Sequence, residues 1–251
     1  VIDLHSHILW GLDDGARTFD DSVAMVKMAA EAGTTDIVAS PHANTEYTFD
    51  AAVVEERIAQ LQAEVGTAIV IHYGCDFHLT MDNIEDALAH PGKYSIDHKG
   101  YLLVEFADFV IPKTTGGIFQ SMLSHGLRPI VTHPERNPLL IKRIPELAEW
   151  VAMGCLLQVT AASLTGRFGR DARSAAEEML GRGLVRIVAS DAHDTRDRTP
   201  KLDGAMAQLT KEYGEDAARL LLIESPMAVL AGAPLPVGPA AVKKKKKWYQ
   251  L

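Results

Sequence analysis

Val185-Arg186-Ile187-Val188-Ala189-Ser190-Asp191-Ala192-His193 reads as a short β-branched strand that runs directly into two metal-ligand residue types. The same grammar opens the chain, where Ile2-Asp3-Leu4-His5 is followed by Ser6 and His7. Between these ends the apolar, β-branched runs recur with helical stretches between them, which predicts seven strands: Ile2–His5, Asp36–Ser40, Ile69–Tyr73, Tyr101–Phe106, Ile130–His133, Leu156–Thr160 and Val185–Ser190. Helices are expected over Asp20–Ala32, stopped by Gly33, and over Ala51–Val65, stopped by Gly66. Strand–helix alternation of this kind implies a parallel sheet with crossover helices, either open and doubly wound or closed into a barrel. No Gly-x-Gly-x-x-Gly follows the first strand and no Walker-type loop occurs, so the cofactor-binding doubly wound folds lose their main sequence support.

The residues at or just past the strand ends carry the chemistry. Strand one leads to His5 and His7, with Asp14 in the next loop; strand two leads to His42; strand three to Asp76. Strand four nearly ends on Glu105, strand five ends on His133, and strand seven leads to Asp191 and His193. In a parallel barrel these ends open on one rim, so nine ligand-type residues would converge on one site suited to a polynuclear metal centre. His5 and His7, two apart on an extended segment, face the same way, and Asp191 and His193 repeat the spacing. Histidine and carboxylate without cysteine suit Zn, Mn or Fe, and Glu105 has the two oxygens needed to bridge ions. His72, His78, His90, His98 and His125 lack this placement; His90 and His125 fall near expected helix ends, where a dipole contact explains them.

Arg136 and Arg198 stand near the same rim and offer forked donors that match phosphate oxygens, whereas Arg167, Arg170 and Arg196 read as surface residues. A cysteine nucleophile with an arginine six positions on is excluded, because position 81 is Met and position 161 is Ala. No Gly-x-Ser-x-Gly elbow supports a serine hydrolase.

Composition limits the partners. The chain has 251 residues, two cysteines and a formal charge of −8, but Lys243 to Lys247 carry five of its 25 basic residues, leaving −13 over residues 1–242. A body this acidic does not bind nucleic acid generally, and on charge alone it should repel phosphate as well. Cys75 and Cys155 form no framework, no basic leader precedes the first strand and no run approaches about 18 apolar residues, so a cytoplasmic protein is expected. Residues 1–226 read as one domain, whose last strand is followed by two helical stretches, Lys201–Tyr213 and Glu215–Ile223, and a Pro/Gly/Ala-rich tail covers 227–251. The lysine run reads first as a solvated tail, and second as a contact for an acidic partner or an anionic membrane surface.

At these residues the chain resembles the PHP (polymerase and histidinol phosphatase) superfamily, and within it the manganese-dependent protein-tyrosine phosphatases of bacterial capsule and exopolysaccharide operons. The resemblance rests on Ile2-Asp3-Leu4-His5-Ser6-His7, Gly11-Leu12-Asp13-Asp14-Gly15, Ala39-Ser40-Pro41-His42, Leu103-Val104-Glu105-Phe106, Thr132-His133-Pro134-Glu135-Arg136-Asn137, Ser163-Leu164-Thr165-Gly166-Arg167-Phe168-Gly169 and Ala189-Ser190-Asp191-Ala192-His193. It implies a distorted seven-stranded (β/α) barrel holding two or three divalent ions, Mn first, with Fe, Zn, Co or Mg as alternatives. By position His5, His7, Glu105 and Asp191 would hold one ion, Asp76, Glu105 and His133 a second, and Asp14, His42 and His193 a third, with Arg136 and Arg198 taking the phosphate. The chain departs from the family at Asp76, where a Glu is expected, and at Trp10, where the family often has Pro. The implied activity is hydrolysis of phosphotyrosine on a protein, a bacterial tyrosine kinase of capsule synthesis being the implied partner. The alternatives are a small-molecule phosphatase acting, for example, on histidinol phosphate, a metal-dependent amidohydrolase, and a non-catalytic scaffold that docks a kinase.

Overall fold

The computed structural model describes residues 1–238, so the lysine run lies outside the described residues. Nine strand segments form: β1 (Ile2–Ser6), β2 (Asp36–Ala39), β3 (His42–Ala43), β4 (Val70–Tyr73), β5 (Asp76–His78), β6 (Tyr101–Glu105), β7 (Arg128–Thr132), β8 (Leu156–Thr160) and β9 (Val185–Ala189). All seven expected strands are present, and two of them continue past a break as separate short segments, β3 after β2 and β5 after β4. Every pairing is parallel, in two sheets ordered β1-β2-β4 and β3-β5-β6-β7-β8-β9. The fold is therefore α/β with parallel sheets, and among the described residues no ladder closes the segments into one ring.

The break between β4 and β5 has a local cause. A Cβ on Gly74 would come within 2.5 Å of Val38 Cγ1, so only glycine lets the chain pass β2 there. Beyond the break, the Asp76 amide donates to the Pro41 carbonyl at 3.0 Å and β5 pairs with β3 in the second sheet. At the far side the two sheets meet again: the His7 amide donates to Ala192 O at 2.8 Å and the Asp191 amide to His5 O at 2.9 Å. Asp3 reinforces this seam, accepting from the Ser190 amide at 3.0 Å and the Ser190 hydroxyl at 2.5 Å.

Helix Phe19–Glu31 starts in a reciprocal cap between Thr18 and Asp21, and helix Ala51–Val65 starts on Asp50 and ends at Gly66 with φ of 69°. His90 and His125 are the C-cap residues of helices Met81–Ala89 and Thr115–Ser124, as their positions in the sequence indicate. One core cluster draws Ile2 and Leu4 from β1, Val38 from β2, Leu103 from β6, Ile130 from β7 and Ile187 from β9, so side chains of both sheets share it. Val229 and Leu230 of helix Ser225–Leu230 join that cluster, and the Tyr101 hydroxyl donates to Ala233 O at 2.6 Å. The chain thus stays on the body past residue 226, each buried aliphatic side chain contributing about 1.5–3 kcal/mol relative to exposure.

Candidate metal centre

Strand register brings the ligand types together. In the second sheet His42 pairs with Asp76, and His78 with Glu105, so three adjacent segments present these four side chains side by side. His133 and Asp191 follow the last residues of β7 and β9, and both take left-handed backbone conformations, φ of 33° and 53°. Such conformations cost about 1–3 kcal/mol in a non-glycine residue and cluster at functional sites. Here they occur at the two places where the chain turns off a strand into the rim.

All nine residues expected from the sequence lie in groups whose ligand atoms are within 4.8 Å of one another. Asp14, His42 and His193 group with His7; Asp76, Glu105 and His133 form a group as the resemblance implies. The remaining set divides differently, His5 and His7 joining Asp76, and His5 and Asp191 joining His133. Glu105 also groups with His42 and His78, so His78 joins the candidate ligands although its position in the sequence did not suggest it.

The histidines are aimed by partners behind them. His5 Nδ1 donates to Gln158 Oε1 at 2.9 Å and His7 Nδ1 to Asp13 Oδ2 at 2.7 Å, which turns both Nε2 atoms inward, 3.2 Å apart. His193 Nδ1 lies 3.1 Å from the Asp191 carbonyl, leaving its Nε2 3.3 Å from Asp14 Oδ1. Asp13 also accepts from the Gly15 amide at 2.9 Å and the His42 amide at 3.1 Å, tying the segment after β1, which carries His7 and Asp14, and β3, which carries His42, to one carboxylate. Gly15 packs so closely that a Cβ there would collide with the His7 carbonyl, which is why Asp13-Asp14 must be followed by glycine.

Both Asp76 oxygens, Asp191 Oδ1 and His42 Nδ1 are buried without a hydrogen-bond partner. Carboxylate oxygens without a hydrogen bond in a protein interior are costly, and their convergence with imidazole nitrogens 3.2 to 3.6 Å away fits a divalent cation. The field says the same. Burial disfavours charge on His5 and His42, but neighbouring carboxylates outweigh it and raise them to about 9 and about 11. His7, buried beside His193 and His42, is lowered to about 3 despite Asp13. Burial pushes the Asp191 carboxyl up, yet His5, His133, Arg198 and Arg136 hold it well below the usual carboxylate range.

Arg136 and Arg198 meet at that carboxylate. Arg136 Nη1 and Arg198 Nη2 both donate to Asp191 Oδ2, the latter at 2.6 Å, and each arginine remains about a quarter exposed. The Arg136 guanidinium also lies over the Phe168 ring, 4.2 Å from its centroid, and Arg198 Nε is a buried donor with no hydrogen-bond partner. Arg198 and Phe168 line a cavity of about 170 Å³ with Arg167 and Lys201, so Arg167, read as a surface residue, stands beside the same mouth. Glu135 braces the loop bearing His133 and Arg136: buried, and raised to about 7 by that burial, it accepts from the Thr160 amide at 2.8 Å and the Ser163 hydroxyl at 2.7 Å.

The model of the family described as "Capsular polysaccharide synthesis, CpsB/CapC" matches residues 1–231. The chain belongs to the CpsB/CapC family. Among its relatives, the tyrosine-protein phosphatase YwqE of Bacillus subtilis is 30% identical over 250 residues, 98% of each chain. The tyrosine-protein phosphatase CpsB of Streptococcus pneumoniae is 27% identical over 242 residues, 92% of this chain and 98% of CpsB. A crystal structure from work on YwqE and CpsB, described there as unique metal-dependent tyrosine phosphatases, superposes with a TM-score of 0.88 at 28% identity, covering 98% of this chain and all of that one. No helix of the described residues is long and apolar enough to cross a membrane.

Proposed function

We propose that this CpsB/CapC chain is a metal-dependent tyrosine phosphatase that hydrolyses phosphotyrosine on a protein, the partner being a bacterial tyrosine kinase of capsule or exopolysaccharide synthesis. The observation that carries this reading is the set of buried carboxylate oxygens without a hydrogen bond at Asp76 and Asp191, beside two arginines that are each about a quarter exposed. The relatives YwqE and CpsB, tyrosine-protein phosphatases by name, support it. We read His5, His7, Asp14, His42, Asp76, Glu105, His133, Asp191 and His193 as the ligands of two or three ions, with His78 as a tenth candidate through its contact with Glu105. Imidazole and carboxylate donors without thiolate suit Mn, Fe or Zn, and manganese is the ion that the PHP resemblance indicates. The two sheets, laced at Pro41–Asp76 and His7–Ala192, are read as one distorted barrel with the centre on its rim.

Bound divalent ions would supply Lewis-acid neutralisation of phosphoryl charge and a lowered pKa for the attacking water. The protein's part is positioning. Gln158 and Asp13 hold His5 and His7 in one tautomer, so the donors stand ready before an ion arrives. Arg136, stacked on Phe168, and Arg198 present forked donors to the equatorial oxygens, where charge builds in the transition state. Tyrosinate, with a phenol pKa of about 10, leaves with less need for protonation than an alkoxide. The buried, unpaired Cys75 and Cys155 fit a reducing compartment such as the cytoplasm.

The test compares turnover of a phosphotyrosyl peptide and of histidinol phosphate by manganese-loaded protein. Preference for the peptide is expected, and a preference for histidinol phosphate would replace this reading with the small-molecule one.

A further inference from the structure

Beside the candidate centre lies a second cavity, of about 210 Å³, whose lining includes His78 and Glu105 on one side and Leu79, Phe106, Phe109 and Val110 on the other. It is smaller than the range of about 300–1,000 Å³ typical of drug-sized ligands, and suits a single side chain. Its outer wall is the loop after β6. That loop is pinned at its start, where Asn137 Nδ2 donates to the Phe106 and Ala107 carbonyls at 3.4 and 3.2 Å, and at its end, where the Thr115 hydroxyl donates to Pro112 O at 2.7 Å. Ile111 is buried, and Phe106 is fixed by stacking on Trp150 at 5.5 Å and by an edge contact with Phe119.

Phe109 is different: it stands 85% exposed, and its neighbour Val110 is 49% exposed. A phenylalanine held in water by an anchored loop is unfavourable unless something apolar covers it. The cavity it borders shares Glu105 with the candidate centre, Oε1 of that residue lying 3.3 Å from His133 and Oε2 contacting His78. A phosphate held among the arginines and ligands therefore has, on the Glu105 side, an apolar space for the group esterified to it.

Building on the phosphatase reading, we propose that the cavity between His78 and Phe109 seats the aryl ring of the phosphotyrosyl side chain, with Phe109 and Val110 closing over the ring. The loop then selects aryl over alkyl phosphate esters by burying the ring, while recognition of the phosphate is left to Arg136 and Arg198. Aromatic pairs favour offset or edge-on contact, which an exposed Phe109 on a pinned loop is free to adopt.

Calorimetric binding of phenylphosphonate, methylphosphonate and inorganic phosphate to the manganese-loaded full chain tests this without relying on turnover. The unaltered protein should bind phenylphosphonate about tenfold more tightly than methylphosphonate, in line with one buried aromatic contact. Phe109→Ala should erase that advantage, Phe109→Leu should keep part of it, and inorganic phosphate should bind all three proteins alike. Since Phe109 is exposed, its replacement leaves the core intact. An undiminished phenyl advantage in Phe109→Ala, or none in the unaltered protein, overturns the assignment. Absence of phosphotyrosyl-peptide turnover in the unaltered protein would instead count against the phosphatase reading, so the two failures are distinguishable.

Discussion

His5 and His7 direct their Nε2 atoms at each other across 3.2 Å, while Gln158 and Asp13 hold the opposite nitrogens. Two imidazole lone pairs cannot face one another at that distance without a proton or a cation between them. With the unpartnered Asp76 and Asp191 oxygens alongside, the arrangement is a set of donors awaiting positive charge. This also bears on the acidic balance of the sequence: divalent ions held at the rim would invert the local field of a body whose net charge elsewhere repels phosphate.

Asp13 contacts no expected ligand atom on the inner side, yet it anchors His7 and accepts from the Gly15 and His42 amides. Asp13→Ala should weaken manganese binding about 10–100-fold, the usual effect of losing a partner behind a ligating histidine. Metal titration by calorimetry, with far-ultraviolet dichroism as the control for folding, measures it.

Gly15→Ala forces a Cβ against the His7 carbonyl, so either His7 or the Asp13–Gly15 turn must move. A destabilisation of about 1–3 kcal/mol is expected, as for overpacking elsewhere, together with a loss of metal affinity. Denaturant unfolding and metal analysis of the same preparation check both.

Arg136→Ala and Arg198→Ala should each lower kcat on a phosphotyrosyl peptide by about 10²–10³, the cost of removing one donor aimed at developing charge. Lysine should rescue either position poorly, because a single ammonium cannot serve Asp191 and a phosphate oxygen with a planar fork. Steady-state kinetics of the four variants decides the point.

Away from the centre, His72 is clamped between Asp36 at 3.0 Å and Asp97 at 2.9 Å. Burial lowers its pKa, but the two carboxylates outweigh burial and raise it above the ordinary 6.5. The sign follows: the clamp's contribution to stability is complete below about pH 6.5 and is lost as pH rises through the raised folded value. Thermal unfolding of the unaltered protein and of His72→Gln should therefore differ most below about pH 6.5 and converge as pH rises through the raised value.

The expected ligands were legible because parallel strands deliver their C-terminal ends to one rim, so a histidine or carboxylate at such an end is placed by topology alone. His78 was not legible for a reason that is also physical. Its placement depends on Gly74 letting the chain break at Val38 and resume as β5, which puts His78 opposite Glu105. That break divides the expected single ring of seven strands into two sheets. The roles of Gln158 and Glu135 were not legible because their contacts, to His5 and to Thr160 and Ser163, join segments 25 to 153 positions apart. The left-handed turns at His133 and Asp191 leave no mark in the sequence, since neither residue is glycine. Phe109 is likewise unmarked in the sequence, since its exposure depends on how the loop after β6 is pinned.

The central claim is that bound metal and the arginine pair together hydrolyse phosphotyrosine. The most direct measurement strips the full chain with a chelator, restores manganese stepwise, and records bound metal and phosphotyrosyl-peptide turnover on the same samples. Turnover that vanishes on stripping and rises in proportion to bound metal is the predicted result. Full turnover by metal-free protein, or protein saturated with manganese that releases no phosphate, would contradict it.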